Sequence, residues 1–142
     1  MKPVNLTALE EIEKTLYKEN IETYHVKLGK QNAVAVEAGG KHFIGIDKRK
    51  TSSIAEEAIL IAHEGEHIRK NLLYDKDAPQ SEIDRIEHRV WRSVVKEYLP
   101  RKELARAMRR NGGRMWEVAE DIGYPEWFID IAYHFYFELR IS

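Results

Sequence analysis

The segment from Ile54 to Lys70 constrains this chain most. At 100° per residue, Ile54, Ala55, Ala58, Ile59, Ile61, Ala62 and Ile68 sweep a wide arc of a helix, and Leu60 lies apart from them at about 240°. A helix this apolar around its circumference is mostly buried. The narrow strip that interrupts it holds His63 and His67, near 180° and 220°. A polar strip on a buried helix faces a cleft rather than open water. Thr51-Ser52-Ser53 precedes the segment, and Ser53 followed by Glu56 fits a capping box, in which each side chain satisfies an exposed N–H of the other.

That strip reads His63-Glu64-Gly65-Glu66-His67, a His-Glu-x-x-His pattern. Histidines four apart share one helix face, so two imidazoles can reach one metal ion. Glu64 follows the first histidine, where it can take a proton from a water beside the metal. The chain has no cysteine. That excludes a disulfide scaffold, a thiolate zinc site, an iron–sulfur cluster and a cysteine nucleophile, so a third ligand must be His, Asp or Glu. Ile83, Ile86, Val90, Trp91, Val94 and Tyr98 form an apolar stripe on the next helical segment, and Glu87 falls in its middle. A carboxylate there is costly unless it is paired or bound to a cation, which makes Glu87 the preferred third ligand. His88 is second choice, followed by Glu82 and Asp84.

The rest of the chain surrounds this helix pair. Leu6 to Asn20 has helical periodicity through Leu6, Leu9, Ile12, Glu13 and Leu16. The period then falls to two. Tyr24 to Leu28, Ala33 to Ala38 and His42 to Asp47 read as strands, joined at Gly29-Lys30-Gln31-Asn32 and at Gly39-Gly40. A three-stranded antiparallel meander is expected. Helices are also expected from about Ser81 to Leu99, from Arg101 to Arg110, from Trp116 to Ile122 and from Glu126 to Leu139. The fold class is α+β in a single domain of 142 residues, organised as helix plus meander (5–50), metal-binding helix pair (51–99) and C-terminal helices (100–142).

With these residues in place, the chain resembles the ImmA/IrrE family of zinc metallopeptidases, as a divergent member. The resemblance rests on His63-Glu64-Gly65-Glu66-His67, on Glu87-x-x-Val90 about twenty residues later, on Leu99-Pro100 and on the order of elements over roughly residues 5 to 135. It departs from the family's usual pattern at Gly65-Glu66, Val90 and Ser93-Val94. The resemblance implies a zincin-like fold, zinc held by His63, His67 and Glu87, and Glu64 as general base. It further implies a peptide-bond hydrolase of phages and mobile elements, acting on a helix-turn-helix transcriptional repressor. His42, Tyr74, His88 and His134 are the available donors to a transition-state oxyanion, and the sequence does not choose among them.

Two other readings compete. One is a regulator that binds metal without proteolysis. The other is DNA binding, because Trp116 to Phe128 has a helix–turn–helix look and Arg101, Lys102, Arg106, Arg109, Arg110 and Arg114 precede it with only Glu103 opposing. The second helix of that segment carries Trp127, Phe128, Ile131, Phe135, Glu126 and Asp130, too apolar and acidic for a recognition helix. The overall charge is −1, from 23 Lys and Arg against 24 Asp and Glu. Nucleic acid is therefore not expected as a partner. No apolar run matches a signal peptide or a membrane span, so the expected location is cytoplasmic.

Overall fold

The computed structural model describes residues 6–139. The chain opens with α1 (Leu6–Lys18), followed by three strands: β1 (Ile21–His25), β2 (Ala33–Ala38) and β3 (Lys41–Ile46). A 3-10 turn, Lys48–Lys50, leads into α2 (Ile54–Arg69). The remainder is helical: α3 (Gln80–Tyr98), α4 (Arg101–Arg110), α5 (Met115–Ile122) and α6 (Glu126–Tyr133), the last running on into a π-helical turn, His134–Glu138. The architecture is α+β, with six α-helices and one sheet among the described residues.

The sheet corrects the expected meander. Strand order is β1-β3-β2, with β1 parallel to β3 and β2 antiparallel to it, so the sheet is mixed. Two connections decide this. Gly39 and Gly40 both have positive φ, 59° and 78°, which a two-residue hairpin turn requires, and they lock β2 to β3 with Ala38 opposite Lys41. Residues 26–32 form a longer link that carries the chain past β3 rather than turning it back beside β1. The central place goes to the strand with the most to bury, since Ile44 and Ile46 on β3 are wholly enclosed. β1 also starts earlier than the alternation of Tyr24, Val26 and Leu28 implies. Ile21 is its buried residue, while Tyr24 and Val26 are exposed.

The expectation for α2 holds: it is the central element. Its Ala55, Ile59 and Ala62 belong to a core shared with α3, α4, α5 and α6. Its Ala58 and Ile61 belong to a second core with Leu9, Leu16, Ile21, Ile44 and Ile46 from α1 and the sheet. A helix sandwiched between two cores must be apolar on both flanks, and only the strip between them is free to hold polar groups.

The helix starts and stops follow local chemistry. Ser53 caps α2 through a hydrogen bond from Glu56 N–H, 3.1 Å, as the capping box predicts. The reciprocal half differs: Glu56 accepts from Ser52 N–H at 2.9 Å, and its other oxygen accepts from Trp127 Nε1–H at 2.6 Å. The cap therefore also ties α2 to α6. Pro79, Pro100 and Pro125 stand at the N-caps of α3, α4 and α6, where the preset φ suits helix entry. Gly123, with φ 92°, closes α5 in the left-handed conformation that favours glycine.

No helix among the described residues is long and apolar enough to cross a membrane.

Candidate metal centre

His63 and His67 project from the polar strip of α2, and Glu87 meets them from the facing turn of α3. His63 Nε2 lies 2.7 Å from Glu87 Oε1, and His67 Nε2 lies 2.9 Å from Glu87 Oε2. One ligand atom from each of the three side chains falls within 4.8 Å of the other two, so the group could hold a metal ion. It is the one such group of three or more among the described residues. All three of the sequence-predicted ligands thus come together.

The surroundings orient these side chains. His67 Nδ1 lies 3.0 Å from the Leu72 carbonyl, an acceptor, so Nδ1 carries the hydrogen and Nε2 is turned to the site. Trp91, one helical turn beyond Glu87, stacks on the His63 ring with centroids 4.2 Å apart and planes 21° from parallel. The two imidazoles meet edge to face at 4.7 Å. Tyr74, on the loop between α2 and α3, donates its hydroxyl hydrogen to Glu87 Oε2 at 2.7 Å.

The electrostatics ask for a cation. Two imidazole nitrogens converge on one carboxylate, and neutral lone pairs cannot face it so closely without a proton or a metal ion between them. Burial alone would raise the Glu87 carboxyl. The hydrogen bonds of His63, His67 and Tyr74 outweigh it and hold Glu87 well below the usual carboxylate range. For His67, burial pulls downward, but the Glu87 carboxylate and the Leu72 carbonyl prevail and raise its pKa. Burial and the neighbouring Glu87 charge push the Tyr74 hydroxyl up, so it stays a donor.

Glu64 sits beside this group without joining it. Its Oε1 lies 3.7 Å from His63 Nδ1, the ring nitrogen that Glu87 does not contact. It is buried, and burial raises its pKa against the pull of both histidines. Glu64, His67, Tyr74 and Glu87 all line one groove of about 130 Å³, walled opposite by Ala33, Val34 and Ala35 of β2. A wider groove of about 640 Å³ continues from it along Val36 and Glu37 to Asp75, Asp77 and Glu82.

The other candidates lie elsewhere. His88 is exposed and packs on Phe135, Asp84 accepts from Gln80, and Glu82 lines only the outer groove. Of the four possible oxyanion donors, Tyr74 alone is at the site; His42 pairs with Glu37, and His134 with Glu138. Glu66, in the middle of the motif, turns away to Arg69 at 3.4 Å and Lys70 at 3.9 Å, so it adds no charge to the ligand group. Trp91 was legible as a member of the Glu87 stripe. Leu72 carries no such signal, because its part is played by a backbone carbonyl.

The C-terminal segment is core. Phe128 and Ile129 are fully buried in α6, and Arg106, Arg110 and Arg114 pair with Glu103, Asp121 and Glu117. Arg101 lies over the Phe137 ring at 5.1 Å.

No family model matches this chain, and neither does any characterised protein or solved structure.

Proposed function

We propose that this protein is a zinc-dependent metalloendopeptidase of zincin-like type. The observation that carries the reading is the placement of Glu64, buried, raised in pKa and opening into the same groove as the ligand group. A metal site kept only for stability has no need of an ionisable neighbour of this kind.

The donor set supports zinc. Two imidazoles and one carboxylate with a free fourth position are the usual ligands of a catalytic zinc, and softer thiolate sites are excluded by the lack of cysteine. Ligand atoms of a tetrahedral zinc stand about 3.3 Å apart, so the present 2.7 and 2.9 Å contacts need open by only about half an ångström. His63, His67 and Glu87 would hold the ion. Bound there, it would lower the pKa of a water and polarise a carbonyl.

The chain's own residues supply the remaining steps. Glu64 takes a proton from the attacking water and delivers it to the departing amine nitrogen, a task its raised pKa suits. Tyr74 holds Glu87 from the groove side. β2 is an edge strand, and its Ala33 to Ala35 stretch forms the wall facing the ligands. An extended peptide paired to that edge would lie across the groove with its backbone near Glu64. The substrate, a helix-turn-helix repressor of a phage or mobile element, is supported by the sequence resemblance alone.

The test compares zinc-loaded protein with Glu64→Gln on such a repressor and on an unfolded protein. Wild type is expected to cleave, and Glu64→Gln to keep its zinc while losing cleavage by at least about 100-fold. Full activity in Glu64→Gln removes the base assignment. Zinc binding with no cleavage in wild type leaves a non-proteolytic metal-binding protein.

A further inference from the structure

We propose that the solvent face of α3 is a docking surface for the phosphate backbone of double-stranded DNA. Arg85, Arg89, Arg92 and Lys96 are spaced by four, three and four residues and all are exposed. At 100° per residue they fall within about 60° of one another, on a stripe about 16 Å long. Ile86, Val90, Val94 and Val95 fill the opposite, buried side of the same helix, which also bears Glu87. The stripe therefore points straight out from the body of the protein.

The three arginines of the stripe differ from five other arginines among the described residues. Arg49, Arg69, Arg106, Arg110 and Arg114 each pair with a carboxylate. Arg85, Arg89, Arg92 and Lys96 pair with none among the described residues. Their neighbours one turn away along the stripe are one another, and like charges at that spacing destabilise a helix. Spacing within the helix thus does not favour the arrangement, and an external polyanion would relieve it. The charge is also segregated along the chain. Residues 85–114 hold ten Arg and Lys against three Glu, a net +7, which leaves 13 cations against 21 acids, a net −8, for the rest. A chain of overall charge −1 can thus present one strongly basic side.

The chemistry of the stripe selects among polyanions. Protein docking sites have an apolar centre, and none of the exposed large hydrophobic residues lies on α3. A membrane-surface helix needs an apolar face beside its basic one, and the apolar face of α3 is spent in the core. Single strands are gripped by stacking on exposed aromatics, which this face lacks. Three arginines among four cations suit phosphate oxygens, to which guanidinium presents paired donors. The proposed contact is to the phosphate backbone, and so is independent of sequence. This departs from the expectation drawn from residues 101–128, where three of the six cations pair with carboxylates and the second helix packs in the core. It does not depend on the metallopeptidase reading, because the stripe lies on the far side of α3 from Glu87.

Fluorescence anisotropy with a labelled 20-base-pair duplex of arbitrary sequence tests it. The full chain is expected to bind with micromolar affinity at about 50 mM salt, with log K falling against log salt at a slope of about −3.6 for four phosphates. Arg85→Gln, Arg89→Gln, Arg92→Gln and Lys96→Gln together should weaken binding at least about 10-fold and flatten the slope by about 3 to 4. Arg89→Gln with Arg92→Gln alone should flatten it by about 2, which keeps the test decisive if the fourfold variant fails to fold. Lys27→Gln, Lys30→Gln, Lys41→Gln and Lys76→Gln remove equal charge from other exposed positions and should leave binding unchanged. Glu87→Ala should also bind DNA as wild type does, whatever its metal content. Absence of binding at 50 mM salt, or equal loss in the Lys27 set, overturns the proposal. So does tighter binding of phosphatidylserine vesicles or polyglutamate than of the duplex.

Discussion

Glu87 is 24 residues from His63 in the chain, yet its Oε1 lies 2.7 Å from His63 Nε2. The same carboxylate reaches His67 with its second oxygen. One side chain on α3 thus binds both histidines of α2, and the packing of those helices through Ala62, Ile86 and Val90 sets the distance. Elemental analysis of the purified protein should find one divalent ion per chain. Replacing His63 or Glu87 with alanine should weaken binding by more than the roughly 10–100-fold typical of residues that merely support a ligand. Chelation should lower the melting temperature by about 10 °C when free metal had stood near 100 times its Kd. Unaltered metal content in Glu87→Ala would remove the ligand assignment.

Tyr74 contributes through one atom. Its hydroxyl hydrogen bonds to Glu87 Oε2 at 2.7 Å, and the residue is otherwise partly exposed. Tyr74→Phe should reduce metal affinity about 10-fold, within the range for a group that orients a ligand. The circular dichroism spectrum should not change. An unaltered affinity would show that the hydroxyl does not steer Glu87.

Asp47 gives the fold an acid-sensitive joint remote from the metal group. It accepts hydrogen bonds from Arg49 Nε–H and NH2, from Leu28 N–H and from Arg49 N–H, so it clamps the link after β1 to the turn after β3. The Arg49 guanidinium first, and the Leu28 N–H next, hold its carboxyl well below the ordinary value of 3.8. A carboxyl lowered on folding stabilises the native state above its unfolded pKa and loses that effect as pH falls toward the folded one. The melting temperature of Asp47→Asn should therefore lie below wild type at neutral pH. The gap should narrow progressively below about pH 3.8. A gap independent of pH would mean that charge is not what Asp47 supplies.

Gly65 lies mid-helix on α2, where alanine would ordinarily gain up to about 1 kcal/mol of helix propensity. A Cβ there would stand 3.1 Å from Leu16 Cδ2, and Leu16 on α1 is 1% exposed. The missing side chain is what lets the two helices approach. Gly65→Ala should destabilise the protein by about 1 kcal/mol net, as overpacking at a filled contact outweighs propensity. Chemical denaturation would show it, and a more stable variant would mean that Leu16 can yield.

The His63–His67–Glu87 group was legible in the sequence because each part of it is a one-dimensional pattern. Histidines four apart share a helix face by geometry alone, and Glu87 betrays itself as a charge within an apolar stripe. The double-sided apolar surface of residues 54–68 placed that helix at the centre for the same reason: apolar area must be covered. Strand order was not legible. The alternation of residues 33–38 and the Gly39-Gly40 turn established one hairpin, but nothing local in residues 26–32 says on which side of it β1 will pair, since that depends on which strand buries more against α1 and α2. Nor could the sequence choose Tyr74 over His42, His88 and His134, or send Glu66 outward to Arg69. Those choices are made by where a loop lies and which charges stand across from it, and such distances exist only once the two cores have packed.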